Sequence, residues 1–200
     1  MPEAHITSRI LHAADYRRMQ WKNGAGWTSE ILRVPDCDDW DWRLSIADVD
    51  ADAPFSAFAG VDRWLMLLAG NGMRLRFDDG HIQTLVPPHG AAQFSGERAL
   101  TGELLEGASR DFNVMWKRDR LAVQTWKRPL VGPMVLFVSP GLTWCIHVLA
   151  GQAEFSAESG LGLMQQGDTA MLQAQDGRSR YALEGGGEVL LVRLQTLPPS

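Results

Sequence analysis

Short runs of alternating apolar and polar residues fill most of the chain, and turn sequences rich in Gly, Pro, Asn and Asp separate them. Apolar residues rarely recur at the three- and four-residue spacing that an amphipathic helix requires. Many short alternating runs between such turns are typical of β-sandwiches and β-barrels, so the pattern predicts an all-β protein. The predicted strands are residues 29–34, 40–47, 63–68, 73–77, 93–94, 113–116, 122–126, 134–138, 142–149, 153–156, 169–173 and 188–195.

Two segments of the chain share one pattern. WLMLLAGNGMRLRF (64–77) and WCIHVLAGQAEFSA (144–157) each contain a Trp, an apolar strand, an Ala-Gly pair predicted to form a turn, and a second strand. This duplication predicts two β-modules, residues 1–118 and 119–200, between which strands could be exchanged. This order of strands and turns, together with QQGDTAML (165–172), resembles that of cupins. It predicts a bicupin of two jelly-roll-like β-barrel modules.

Composition narrows the classes of partner. A net charge of −5 provides no basic stripe, so nucleic acid is not expected as a partner. The longest apolar run, residues 64–69, is too short to span a bilayer, and the first residues do not resemble a signal peptide. We therefore expect a cytoplasmic protein without a membrane partner. The eight tryptophans indicate either a thick β-core or a cavity with aromatic walls.

The spacing of the histidines argues against the metal site that is common in cupins. That site needs two histidines separated by one residue, so that both imidazoles leave the same strand face. No two histidines of this chain have that spacing, and we expect neither a metal nor another cofactor. No GxSxG motif is present and no Cys has a neighbouring His, so no catalytic residue is assigned. The histidines are His5, His12, His81, His89 and His147.

Polar residues lie at alternate positions on strands of the N-terminal module. Arg43 and Ser45 share one strand face, and Thr28 and Glu30 share another face with Leu32. Such a face is often the solvated side of a sheet, but closure into a barrel would turn it inward, where polar groups need partners. We expect an inward Arg43 to bind Glu30 or a ligand, which predicts a pocket for a small anionic or zwitterionic metabolite. Further lining is predicted from Trp21, Asn23, Phe55, Ser56 and Trp64, and another strand face carries Asp111, Asn113 and Met115.

Three longer segments carry a family resemblance. WKNGAGWTSEI, DWDWRLSIADVDADAPFSAFAGVDRWLMLLAGNGMRL and RDFNVMWKR, in this order and spacing, resemble the HutD/Ves family over residues 11–194. In the first segment, Gly24 and Gly26 are expected to supply positive φ angles in a tight turn. Many members of the family have a third Gly where this chain has Ala25. This difference affects only how closely the backbone of the loop can approach its neighbours.

The resemblance implies a bicupin fold without a metal centre and a protein that binds a small molecule. The implied ligand is a small carboxylate such as formylglutamate, and the implied role is to modulate histidine utilisation, with a Ves-like, stress-associated role as an alternative. Mapped onto this chain, the expected ligand-binding residues are Trp21, Asn23, Gly24, Gly26, Thr28, Glu30, Arg43, Ser45, Phe55, Ser56, Arg63 and Asn113.

Two other classes of function stay open on the residues alone. The first is a hydrolase or isomerase with Glu30 as general base and Arg43 as anion clamp, although a carboxylate beside an arginine is a weak base. The second is a partner-binding module whose tryptophans form an interface. A homodimer that pairs through a sheet edge is compatible with either.

Overall fold

The computed structural model describes residues 7–198, and these residues form β-strands joined by turns, with two short 3₁₀ turns at Ala13–Asp15 and Ala157–Ser159. The prediction of an all-β protein is therefore confirmed. The strands group into two compact units. One unit is Tyr16–Arg120, and the other combines the residues up to Asp15 with those from Leu121 onward.

The unit Tyr16–Arg120 is built from two antiparallel sheets. Its strands are β2 (Arg17–Gln20), β3 (Gly26–Val34), β4 (Trp42–Val49), β5 (Ala53–Pro54), β6 (Val61–Ala69), β7 (Met73–Phe77), β8 (Ile82–Leu85), β9 (Ala91–Ser95), β10 (Leu100–Leu104) and β11 (Ser109–Lys117). The six-stranded sheet has the order β2-β3-β4-β11-β6-β9, and the four-stranded sheet has the order β5-β10-β7-β8.

The core of this unit is a cluster of buried apolar side chains that the two sheets share. Leu65 comes from the six-stranded sheet, and Met73, Leu75 and Phe77 come from alternate positions of β7. Alternation places these side chains on one face of their strand, and each large apolar side chain that is fully buried stabilises the fold by about 1.5–3 kcal/mol.

The other unit contains one seven-stranded antiparallel sheet. Its strands are β1 (Arg9–Leu11), β12 (Leu121–Val131), β13 (Met134–Val138), β14 (Leu142–Phe155), β15 (Leu163–Gln165), β16 (Thr169–Leu172) and β17 (Ser179–Thr196). The main path of the sheet is β1-β16-β14-β17-β12, while β13 pairs with β17 and β15 pairs with β14. The core of this unit includes Ile146, Val148, Met164 and Leu183.

The hydrogen-bonding pattern differs from the predicted barrels. In Tyr16–Arg120, β2 and β9 end one sheet and β5 and β8 end the other, so neither sheet closes on itself. These edge strands are short, which limits the unpaired backbone that they expose. Strand β1 belongs to the second unit, because it pairs with β16 from Arg9 opposite Met171 to Leu11 opposite Thr169.

The turn predicted at Ala150-Gly151 is wrong. Strand β14 runs through this dipeptide, and the ladder with β17 shifts register between Val148 and Ala150. A Cβ atom on Gly151 would lie 2.0 Å from the backbone oxygen of Gly186, so glycine permits a close approach of the paired strand β17 here instead of a turn. At the equivalent Ala69-Gly70 pair, β6 does end and β7 begins shortly afterwards.

No helix among residues 7–198 is long and apolar enough to cross a membrane.

Candidate functional site

The candidate site forms on one face of the six-stranded sheet, where β4, β11 and β6 lie side by side. Ser45 is opposite Asn113, while Met115 is flanked by Arg43 on β4 and Arg63 on β6. Residues that are directly opposite each other project from the same face of a sheet. Alternation along three neighbouring strands therefore concentrates these polar side chains in one place.

A cavity of about 190 Å³ opens over this face. Its volume lies below the range of about 300–1,000 Å³ that is usual for drug-sized ligands, so it suits a small metabolite. Aromatic and polar side chains share the wall. The lining residues are Trp21, Thr28, Arg43, Ser45, Ala47, Pro54, Phe55, Ser56, Phe58, Arg63, Asp111, Asn113 and Met115.

Glu30 binds arginines and does not line the cavity. Its side chain is 6% exposed, and its Oε2 atom lies 2.7 Å from Arg43 Nε. The Nε hydrogen is not directed along this contact, so the two groups form an ion pair without a well-aligned hydrogen bond. Arg17 donates a hydrogen bond to Glu30 Oε1, and Arg33 Nε lies 3.8 Å from the same oxygen. Glu30 thus holds Arg43, which lines the cavity.

A second polar network crosses the cavity wall from β6 to β11. Arg63 Nη2 donates a hydrogen bond of 2.9 Å to Asn113 Oδ1, and Asn113 Nδ2 donates to Asp111 Oδ1. The guanidinium of Arg63 also lies 4.9 Å from the ring centroid of Phe55 and 5.4 Å from that of Phe94. Within residues 7–198, neither Arg63 Nε nor Asp111 Oδ2 has a hydrogen-bond partner, although both atoms are buried. The protein therefore leaves one polar atom of each residue unsatisfied in the wall of the cavity.

Burial shifts the ionisation of both charged members of this network. Loss of hydration raises the pKa of Asp111 to about 7, although the charge of Arg63 and the hydrogen bond from Asn113 act in the opposite direction. Loss of hydration also lowers the pKa of Arg63 to about 10; the charge of Asp111 opposes this change and that of Arg43 adds to it. Near neutral pH, Arg63 is therefore charged, whereas Asp111 is poised between its two forms.

The loop at NGAG shapes one side of the site. Trp21 lines the cavity, its Nε1 donates to Thr28 Oγ1 at 2.8 Å, and its backbone N donates to Gly26 O at 2.9 Å. Asn23 Oδ1 accepts a hydrogen bond from the backbone of Ala25. Gly24 has the expected positive φ, of 71°. Gly26 does not; its lack of a side chain matters because a Cβ there would lie 2.3 Å from the backbone oxygen of Asp48.

The structure brings together many, but not all, of the residues predicted for the site. Asn23, Gly24, Gly26 and Glu30 do not line the cavity but hold the loop or the arginine beside it, and Trp64 does not line it either. The predicted residues that do line it are Trp21, Thr28, Arg43, Ser45, Phe55, Ser56, Arg63 and Asn113.

Sequence reasoning did not assign several lining residues to the site. The sequence signal was present for Asp111 and Met115, which flank Asn113 at alternate positions, and for Ala47, which follows Ser45 at the same spacing. Pro54 and Phe58 belong to the segment around Phe55 and have no such periodic signal.

The histidines that the structure describes do not gather into a metal site. Among residues 7–198, no three His, Cys, Asp or Glu side chains are grouped closely enough to hold a metal ion. His147 is buried, and its Nδ1 lies 2.9 Å from Thr169 Oγ1. His12 Nδ1 lies 3.1 Å from Asp168 Oδ2, and His5 is outside the described residues.

The model of the HutD family matches residues 13–191 of the chain. The chain belongs to the HutD family. Among curated relatives, a 21.2 kDa protein from the hutC 3′ region of Pseudomonas putida is 46% identical over 114 residues, which are 56% of this chain and 60% of that protein. Protein Ves from Cronobacter sakazakii is 38% identical over 105 residues, which are 52% of this chain and 58% of Ves. The matches to these relatives thus span less than two thirds of their length.

Several solved structures have the same fold. HutD from Pseudomonas fluorescens SBW25, in a formate condition, has a TM-score of 0.82 and 27% identity, and the match covers 96% of this chain and all of that one (100%). A conserved protein of unknown function from Pseudomonas aeruginosa PAO1 has a TM-score of 0.79 and 34% identity over 96% and 100% of the two chains. YlbA from Escherichia coli, at 10% identity and a TM-score of 0.72 over 98% and 95%, shares the cupin-like fold alone.

Proposed function

We propose that this HutD-family protein binds a small carboxylate in the cavity of the unit Tyr16–Arg120. The observation that carries the proposal is the pair of arginines in the cavity wall, Arg43 and Arg63. Arg63 is only 8% exposed, and its Nε has no hydrogen-bond partner within residues 7–198. A buried guanidinium N–H without a partner is costly, and a bound carboxylate oxygen would accept its hydrogen bond.

The rest of the wall favours a ligand that is small and only partly polar. Phe55, Phe58 and Trp21 provide apolar surface, while Ser45 and Thr28 offer hydroxyl groups. A few convergent polar groups in an otherwise apolar wall are typical of sites that fix the orientation of a metabolite. Such a site supports binding without requiring that the protein change the ligand.

The proposed ligand class includes carboxylate intermediates of histidine utilisation, such as formylglutamate. The relative from Pseudomonas putida takes its name from the region 3′ of hutC, which supports a role for this chain in modulating the same pathway. Its similarity to Ves keeps a stress-associated role as the alternative. We further propose that the protein acts in the cytoplasm as a bicupin, with homodimer formation still to be tested.

One observation favours an enzyme as a second candidate function. Glu30, which was the predicted general base, does not line the cavity and is held by arginines. Asp111 does line it, and burial raises the pKa of Asp111 to about 7, a value suited to general acid–base catalysis. A hydrolase or isomerase would therefore use Asp111, and its turnover would be lost in Asp111→Asn.

A ligand panel tests the proposed function. Thermal-shift and calorimetric titrations would use N-formyl-L-glutamate, L-glutamate, urocanate and formate, with their uncharged amides as matched controls. A ligand at a hundredfold excess over its dissociation constant stabilises the folded protein by about 2.7 kcal/mol. We expect this stabilisation with at least one acid and not with its amide. Equal responses to acids and amides, or no response to any acid at millimolar concentration, would contradict the proposal.

A further inference from the structure

Only one of the two carboxyl oxygens of Asp111 has a hydrogen-bond partner in the cavity wall. Its side chain is 1% exposed and lines the cavity. Oδ1 accepts a hydrogen bond from Asn113, whereas Oδ2 has no partner within residues 7–198. A buried carboxyl oxygen without a partner is costly, and it marks a position where a ligand can complete the network.

Charged groups of both signs surround Asp111. Arg63 on β6 and Arg43 on β4 line the same cavity, Asp48 on β4 acts on Asp111 through its negative charge, and Glu30 on β3 is held by Arg43. A ligand carboxylate between the two arginines would place another negative charge beside Asp111. Two carboxylates that share one site do not both stay ionised, because like charges at short range repel.

We propose that Asp111 is protonated when the cavity holds a carboxylate, and that its Oδ2–H donates a hydrogen bond to the ligand. This inference rests on the proposed function and specifies how that site recognises its ligand. Arg43 and Arg63 neutralise the charge of the ligand, while the proton on Asp111 removes the repulsion. The proton comes from the buffered solvent: one O–H bond forms at Asp111 Oδ2 as the donor acid, a buffer molecule or hydronium, loses that proton, and no bond within the ligand changes.

Burial in the cavity wall already prepares Asp111 for this role. Burial raises its pKa to about 7, so the carboxyl group is ionised in most molecules at pH 8 and above. Binding at such pH then requires the uptake of one proton, and the dissociation constant should rise about tenfold for each pH unit above 7. Below pH 7 the proton is already in place, and the affinity should become independent of pH until the ligand itself is protonated.

Calorimetry with N-formyl-L-glutamate and formate tests this inference. Titrations at pH 8 in phosphate and in Tris, which have different ionisation enthalpies, should show close to one proton taken up for each ligand bound. Dissociation constants measured from pH 6 to 9 should follow the tenfold rise described above. Asp111→Asn keeps an N–H donor at the same position but cannot titrate, so it should bind with little dependence on pH. Asp50→Asn removes an exposed carboxylate that does not line the cavity and should behave as the wild-type protein.

The possible outcomes separate the two proposals. If a carboxylate binds the wild-type protein with constant affinity from pH 6 to 9 and without proton uptake, the role of Asp111 is overturned and the proposed function stands. If none of the four acids of the ligand panel binds at any pH, both proposals fail. Should Asp111→Asn not fold, carboxyl-carbon NMR of the wild-type protein provides the second measurement: the pKa of Asp111 must rise when formate is added, and an unchanged pKa would overturn the inference.

Discussion

Glu30 Oε2 and Arg43 Nε lie 2.7 Å apart across the ladder between β3 and β4, and of these two residues only Arg43 lines the cavity. A second carboxylate could therefore bind Arg43 from the cavity. Since Glu30 also accepts a hydrogen bond from Arg17, removal of Arg43 does not leave it without a partner. The two residues thus have different roles: Glu30 orients Arg43, and Arg43 remains available for a ligand.

The first prediction concerns the loss of this arginine. Arg43→Ala should weaken the binding of N-formyl-L-glutamate at least tenfold, or by about 1.4 kcal/mol, because truncation of one partner in a buried charge contact reduces affinity by this much or more. Isothermal calorimetry at pH 6.5 measures the change. The pH is chosen so that protonation of Asp111 does not limit binding in either protein.

Arg33→Ala is the matched control. Arg33 Nε also lies near Glu30, at 3.8 Å, but its side chain is paired with Asp36 and Asp38 and does not line the cavity. Its replacement should leave the dissociation constant within about twofold of the wild-type value. Unchanged binding by Arg43→Ala, or an equal loss in both variants, would show that the ligand does not reach Arg43.

The second prediction concerns Asn113, which connects Arg63 and Asp111 in the cavity wall. Asn113→Ala removes the acceptor of Arg63 Nη2 and the donor to Asp111 Oδ1. The free energy of unfolding should fall by about 1–3 kcal/mol, because buried polar groups then lack partners. Urea denaturation measures it. Asn71→Ala, which removes an exposed hydrogen bond to the backbone of Glu106, should change stability by less than about 0.5 kcal/mol. Equal effects would contradict the interpretation.

The fold class followed from the sequence because alternation and turn residues are local signals. The pairing of strands was not predictable in the same way. Residues 142–149 and 153–156 were predicted as separate strands, but they join in β14 because Gly151 accommodates a close approach of the Gly186 backbone. Closure of a sheet likewise depends on which strands are hydrogen-bonded at its edges, a property of long-range contacts that no short window contains.

In the candidate site, too, local alternation was predictable from the sequence, whereas features that depend on long-range contacts were not. Alternation correctly placed Arg43 and Ser45 on one face, because β4 pairs with β11 without a register shift from Trp42 to Val49. The prediction that Leu32 shares the face of Glu30 was wrong, because a bulge between them puts Leu32 opposite Leu44 while Glu30 stays opposite Ser45. Alternation also placed Asp111 beside Asn113, but it does not reveal burial, and burial is what gives Asp111 its chemistry.

The third prediction is a pH dependence of stability that depends on Asp111. Burial raises its pKa to about 7, whereas an unfolded Asp titrates near ~3.9. The folded protein therefore binds more protons between these values, and the free energy of unfolding contributed by Asp111 falls as pH rises through the window. The slope should approach about 1.4 kcal/mol per pH unit from pH 5 to pH 7 and vanish above the folded pKa.

Urea denaturation of the wild-type protein and Asp111→Asn at pH 5, 6, 7 and 8 checks this slope. The difference between the two proteins isolates Asp111, since every other group titrates in both. We expect the wild-type protein to lose stability relative to Asp111→Asn up to pH 7 and the difference to level off afterwards. Asp50→Asn should show no such trend, because its carboxylate is exposed. A constant difference between wild type and Asp111→Asn would mean that Asp111 is ionised throughout.

The fourth prediction separates the two glycines of NGAG. Gly24 has a φ of 71° and open space where a methyl group would lie, so Gly24→Ala should cost only the left-handed backbone conformation, about 1–2 kcal/mol. In Gly26→Ala the added Cβ would lie 2.3 Å from the backbone oxygen of Asp48 and 3.3 Å from the ring of Trp21. The strand must shift, so this variant should lose more stability in thermal denaturation and also bind formate more weakly, because Trp21 lines the cavity. Equal stability and equal formate affinity in the two variants would refute a role of Gly26 in close packing.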